Sequence, residues 1–147
     1  MHIYSENTLK ALFIWRYISY SRRMNETDSL PEIDFPDLKQ YVGDDIELTA
    51  EVFGLFKHQV ELWTRALQAD ADDESWKSVM HTLKGSANAV GALNLAAICK
   101  AGEGLTGEKG GPEIRKKHIH DLNFTIDRVL IEIQRWEYRQ TLASLRS

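Results

Sequence analysis

The sequence lacks the features that mark several large classes of protein. Among 147 residues there is one cysteine, Cys99, so neither an internal disulfide nor a CxxC zinc framework is possible. We expect Cys99, which lies in an apolar stretch, to be a small buried hydrophobic residue. Basic residues are not in excess, since the net charge is −4, which argues against nucleic acid as the main partner.

Long hydrophobic runs are also missing. Residues 11–15 are apolar, but Arg16 ends the run well short of the ~18 residues that a membrane-spanning helix needs. No positively charged region precedes this run and no clear cleavage site follows it, so it makes a poor signal peptide. We therefore expect a cytoplasmic protein without a membrane partner.

The patterns of common catalytic and metal sites are absent too. His118 and His120 are two residues apart, so on one helix they point to different sides, and the sequence has no HExxH motif. It has no Gly-rich phosphate loop after a strand and no GxSxG motif. The sequence thus predicts neither a metal site nor a conventional enzyme.

Residues 1–33 differ from the rest and are interpreted as an N-terminal extension and linker. The spacing of Leu9, Leu12, Phe13 and Tyr17 predicts a short amphipathic helix within residues 1–23, and residues 25–29 are polar. Two interpretations stay open at this point. Either Met24 is the true start of the protein, or the segment packs on the rest of the chain or on a second copy.

Residues 34–147 have the pattern of an antiparallel four-helix bundle, an all-α fold. A short helix is predicted from Pro36 to about Val42, ended by Gly43, with Asp44 or Asp45 capping the next helix. A Gly-rich turn covers residues 106–111, and Pro112 opens a long last helix. Apolar residues at three- and four-residue spacing predict the core; they are Ile46, Phe53, Phe56, Val60, Trp63 and Leu67, then Trp76, Met80, Leu83, Ala87 and Val90, then Leu95, Ile98, Cys99, Gly102 and Leu105, and last Ile119, Leu122, Ile126, Val129, Ile133 and Trp136.

The helix that contains residues 76–90 has a second, polar strip. If its apolar residues face inward, the outward strip consists of Lys77, His81, Lys84, Gly85 and Asn88. A neutral imidazole is a good nucleophile at cell pH, and a lysine one turn away can offset the charge of a phosphoryl group. A mid-helix glycine costs about 1 kcal/mol relative to alanine but leaves room for another protein to approach. Taken singly, the histidine could equally be a solvated side chain, and the glycine a site of close helix packing.

The run from His81 to Ala92, HTLKGSANAVGA, resembles the signature of histidine-containing phosphotransfer (HPt) domains. Leu95, Cys99 and Glu103 fit later places in that pattern, and the resemblance covers about residues 34–138. It implies that His81 is phosphorylated on a ring nitrogen, that Lys84 faces the phosphoryl group and that Gly85 allows close approach. Ser86 belongs to the signature, and with Asn88 on the same helix it is a further candidate site residue. The resemblance also implies that Glu103 orients the histidine or the phosphoryl group.

The resemblance also implies partners and a role. It predicts a stand-alone phosphorelay intermediate that accepts a phosphoryl group from a receiver-domain aspartate and passes it to another. The receivers would belong to a hybrid sensor histidine kinase and to response regulators, and they would supply the Mg²⁺. The chain itself would need no cofactor, would not use ATP and would be a monomer. The alternative is a module of the same fold that binds receivers without passing phosphate.

Overall fold

The residues 31–146 that the computed structural model describes form five α-helices and no strand. The helices are α1 (Phe35–Val42), α2 (Ile46–Ala66), α3 (Asp73–Ala89), α4 (Leu93–Glu103) and α5 (Pro112–Arg146), with a 3₁₀ turn at Gly107–Lys109. Helix α2 packs against α3 and α5, and α4 packs against the same two helices, which closes the four longer helices into a bundle. The predicted helix within residues 1–23 lies outside the described residues.

Aspartates begin three of these helices. Asp34, Asp45 and Asp72 each accept a hydrogen bond from a backbone N–H in the first turn, at α1, α2 and α3 respectively. Pro112 is the first residue of α5, where its missing N–H costs no hydrogen bond. Of the two capping candidates predicted for the second helix, Asp45 rather than Asp44 is the cap, and Pro112 opens the last helix as predicted.

Apolar side chains fill the space between the helices as their spacing predicts. Phe53, Trp76, Met80, Leu122 and Ile133 are all fully buried. One expectation was wrong. Ile46 stands in the first turn of α2, turned away from the core, and is 56% exposed. Leu105 packs against the core as predicted, but from the turn that follows α4, because this helix ends at Glu103.

The turn between α3 and α4 requires a glycine. Gly91 has φ +76°, and a Cβ atom there would lie 2.8 Å from the backbone oxygen of Asp34. The N–H of Asp34 donates to the Gly91 oxygen at 2.8 Å, which ties the start of α1 to this turn. Gly91 therefore ends the helix that carries His81 and lets α4 turn back alongside it.

A buried arginine, which the sequence analysis did not single out, stabilises the other end of the bundle. The Arg115 side chain is 3% exposed and pairs with Asp73 at 2.6 Å. Its guanidinium also donates to the backbone oxygens of Ala69, Ala71 and Leu105. Arg115 on α5 thus joins the α2–α3 turn, the start of α3 and the α4–α5 turn.

Candidate functional site

His81 projects from the middle of α3 into solvent. Its side chain is 73% exposed, whereas the neighbouring Met80 and Leu83 are buried. The predicted inward and outward faces of this helix are confirmed, because Trp76, Met80, Leu83, Ala87 and Val90 are all buried and His81, Gly85 and Asn88 are exposed. A group on the imidazole ring is therefore accessible to another protein.

Glu103 lies beside His81 although 22 residues separate them in the chain. It is the last residue of α4, and its Oε2 is 3.1 Å from Nδ1 of His81. Nζ of Lys84 lies 3.1 Å from the same oxygen and 3.3 Å from Oε1. The carboxylate is only 18% exposed, so it contacts both side chains while largely shielded from water.

The charge state of Glu103 fixes the roles of the two imidazole nitrogens. Burial alone would raise the pKa of its carboxyl, but hydrogen bonds from Lys84 and His81, together with their charge, outweigh burial and hold the pKa below its usual value. An ionised carboxylate only accepts hydrogen bonds, so Nδ1 of a neutral His81 must carry the proton. In that tautomer the lone pair of Nε2 takes no part in the contact with Glu103.

Gly85 leaves an open surface one turn from His81. A Cβ atom at this position would have no atom of another residue within 4 Å beyond its own turn of the helix, so close helix packing does not explain the glycine. The sequence left that explanation open, and the structure removes it. An approaching protein surface would meet backbone rather than a side chain here.

Ser86 and Asn88 stand apart from this cluster. The Ser86 hydroxyl donates to the backbone oxygen of Thr82 at 3.3 Å, a bond within α3. Asn88 is exposed, two turns or about 10 Å along the helix from His81. The structure thus brings together His81, Lys84 and Glu103, with Gly85 beside them.

Cys99 is buried close to the cluster. Burial is the main cause that raises the pKa of its thiol to about 12, with a further contribution from the charge of Glu103. It therefore stays a neutral thiol, in agreement with the sequence interpretation of a small hydrophobic residue. Within residues 31–146 no group of three or more His, Cys, Asp or Glu side chains is placed to hold a metal ion.

A family model described as Hpt domain matches residues 47–145. The chain belongs to the Hpt domain family. It is similar to the histidine phosphotransferase ShpA from Caulobacter crescentus, with 30% sequence identity and a TM-score of 0.59. The match covers 78% of this chain and 98% of that protein. No curated protein sequence matches the chain.

This Hpt protein therefore has a phosphotransfer role, and receiver domains are the kind of partner that Hpt domains have. The all-helical bundle and the family predicted from the run at residues 81–92 are confirmed. No helix in the described part of the chain combines the length and the apolar character needed to cross a membrane.

Proposed function

We propose that this protein is a phosphorelay intermediate in which Nε2 of His81 accepts a phosphoryl group from an aspartyl phosphate of one receiver domain. The lone pair of Nε2 forms the N–P bond while the O–P bond of the aspartyl phosphate breaks. The electrons of that bond return to the aspartate, which leaves as a carboxylate. Transfer to a second receiver aspartate is the same reaction in reverse.

The contact between Nδ1 of His81 and Glu103 is the observation that carries this proposal. It selects the tautomer in which the exposed nitrogen is the nucleophile, before any partner binds. Phosphoryl transfer depends mainly on the position of the reacting groups and on charge. Lys84, one helical turn after His81, supplies the positive charge. The receivers would contribute Mg²⁺ and their own catalytic groups, so the Hpt protein supplies no metal.

Lys84 already has a partner in Glu103, so its charge is positioned before phosphorylation. Glu103 holds the ammonium group by contacts of 3.1 and 3.3 Å to its two oxygens, and the lysine side chain is 25% exposed. A phosphoryl group on Nε2 would offer the ammonium group a second anion in the same region. We propose that Lys84 stabilises this added negative charge, and that Gly85 leaves room for the receiver that delivers it.

Incubation with phosphate-labelled receiver domains from the same genome tests the proposal. Label should move to the Hpt protein in the presence of Mg²⁺ and move on to a second receiver. ATP without a kinase and receiver should give no label. His81→Gln should retain the helical fold, because this side chain is largely exposed, yet take up no label.

Two other outcomes would count against the proposal. Transfer to the His81→Gln variant would move the site to another residue. Tight binding of receivers without movement of label, to the parent protein, would support the alternative of a binding module that passes no phosphate.

A further inference from the structure

The last turn of α4, which carries Glu103, is tied to α3 by a buried tryptophan. The indole Nε1 of Trp76 donates a hydrogen bond of 2.7 Å to the backbone oxygen of Gly102. Trp76 is fully buried and lies five residues before His81 on the same helix, while Gly102 directly precedes Glu103. This hydrogen bond therefore connects the two helices at the point where their side chains meet in the site.

The last turn of α4 has a glycine at position 102. A Cβ atom there would lie 2.6 Å from Nε2 of His118 and 2.6 Å from Sδ of Met80, so a larger residue would require these two side chains to shift. Gly104 follows as the residue after the helix. Glycine is less favourable than alanine in a helix by about 1 kcal/mol, and the ends of helices fray.

The turn that carries Glu103 therefore has little stability of its own and depends on contacts from outside. The Trp76 hydrogen bond is one such contact, and the indole is itself held in place. The guanidinium of Arg115 lies 4.6 Å from the ring centroid, and the ring of His118 meets it edge-on at 6.3 Å. Trp76 can thus act as a fixed donor to the Gly102 oxygen.

We propose that Trp76 is a positioning residue for phosphotransfer: its indole N–H fixes the last turn of α4, so that Glu103 keeps its hydrogen bond to Nδ1 of His81. The effect on transfer rests on the proposed function. The effect on the His81 tautomer does not, because it concerns the protein before any phosphoryl group arrives.

Trp76→Phe removes the donor and keeps an aromatic ring in the core. Trp63→Phe is the matched control, because Trp63 donates its indole N–H to Gln59 within α2, away from α4. ¹⁵N NMR spectra of the histidine rings at about pH 8, where free imidazole is neutral, report the tautomer. We expect mainly the Nδ1–H form of His81 in the parent and in Trp63→Phe. In Trp76→Phe we expect a shift toward the tautomer mixture of a histidine in a short peptide.

Transfer from a labelled receiver provides the second measurement. Trp76→Phe should slow labelling about ten-fold, which is the order expected when the hydrogen bond between the Glu103 carboxylate and His81 is lost. Trp63→Phe should not slow labelling. Glu103→Ala should have a similar effect. The double variant with Trp76→Phe and Glu103→Ala should be no slower than Glu103→Ala alone, because Trp76 acts through Glu103.

The proposal is overturned if folded Trp76→Phe keeps the parent tautomer, or if the two substitutions slow transfer additively. Should Trp76→Phe fail to fold, 3-benzothienylalanine at position 76 retains the ring shape without the N–H and answers the same question. If receivers never label the parent, the relay function fails, yet the tautomer measurement still decides whether Trp76 positions Glu103.

Discussion

Lys84 shares the Glu103 carboxylate with His81 and supplies positive charge to the site. We expect Lys84→Ala to slow transfer about ten-fold, since a nearby cation stabilises the charge of the moving phosphoryl group. The free energy of unfolding should fall by at most ~1 kcal/mol, because Lys84 is 25% exposed and Glu103, although largely shielded from water, keeps its contact with His81. Transfer assays at low salt, with chemical unfolding alongside, measure both effects.

Lys77→Ala removes an exposed lysine one turn before His81 and serves as the control for Lys84. If transfer depended only on the total positive charge of the surface, Lys77→Ala and Lys84→Ala would slow it to the same extent. The assigned role of Lys84 would be refuted by equal transfer rates in Lys84→Ala and the parent.

Gly85 offers a test that separates folding from docking. Gly85→Gln should leave the melting temperature unchanged or raise it, because the added side chain meets open space and glutamine favours a helix. The free energy of unfolding should increase by up to about 1 kcal/mol. Transfer with receiver domains should fall sharply in both directions, since a long side chain then stands beside His81. A small phosphodonor that labels the parent should label the variant equally.

The control for Gly85 is Gly54→Gln in α2, where a Cβ atom would also have no atom within 4 Å beyond the local helix. It should bring the same stabilisation without loss of transfer. Normal transfer by Gly85→Gln would mean that receivers dock on another face of the bundle, and unfolding would mean that the glycine serves packing after all.

At the scale of elements, we expect His118 to make the junction of α3, α4 and α5 sensitive to acid. Its Nε2 is buried without a hydrogen-bond partner, and burial lowers the pKa of the ring below its usual 6.5, despite a hydrogen bond to the backbone of Ile98 and the charge of Asp121. The unfolded chain therefore binds a proton more readily than the folded one. Stability is full above about pH 6.5 and should fall as the pH decreases through that value.

Unfolding in denaturant at several pH values between about 5 and 8 measures this dependence. His118→Gln cannot gain a proton, so its stability should decline less over the same range. Glu103, with its lowered pKa, titrates in a separate and more acidic range. An equal slope for parent and variant would assign the pH dependence to other groups.

The elements were largely predictable from sequence because their signals are local. The three- and four-residue spacing of Trp76, Met80 and Leu83 is a property of one helix. It shows which face of the helix is buried and therefore that His81 lies on the exposed face. Ile46 was misplaced because spacing alone does not tell where a helix first meets its neighbours. Contacts between distant residues leave no such signal: the resemblance suggested a role for Glu103, but nothing in the sequence indicated that Trp76 binds Gly102 or that Arg115 is buried.

For the whole molecule, the helices that carry the site belong to a unit that begins at Glu32. We expect a protein that lacks residues 1–23 to fold and to accept a phosphoryl group, because within the described residues the buried apolar side chains from Ile33 onward pack together in one core. Thermal unfolding followed by circular dichroism, together with the receiver transfer assay, checks this. Loss of cooperative unfolding in the shortened protein would show that residues 1–23 contribute to the core or to contacts between copies.

Arg115 has a consequence for how the sequence can vary in length. Turns between helices ordinarily tolerate insertions, since they lie at the surface and make few contacts. Here one guanidinium binds backbone oxygens in both the α2–α3 and α4–α5 turns, so an added residue at 69–71 or near Leu105 would pull an oxygen away from a buried charge. The turn at residues 43–45 makes no contact with Arg115, and length variation should be easier there.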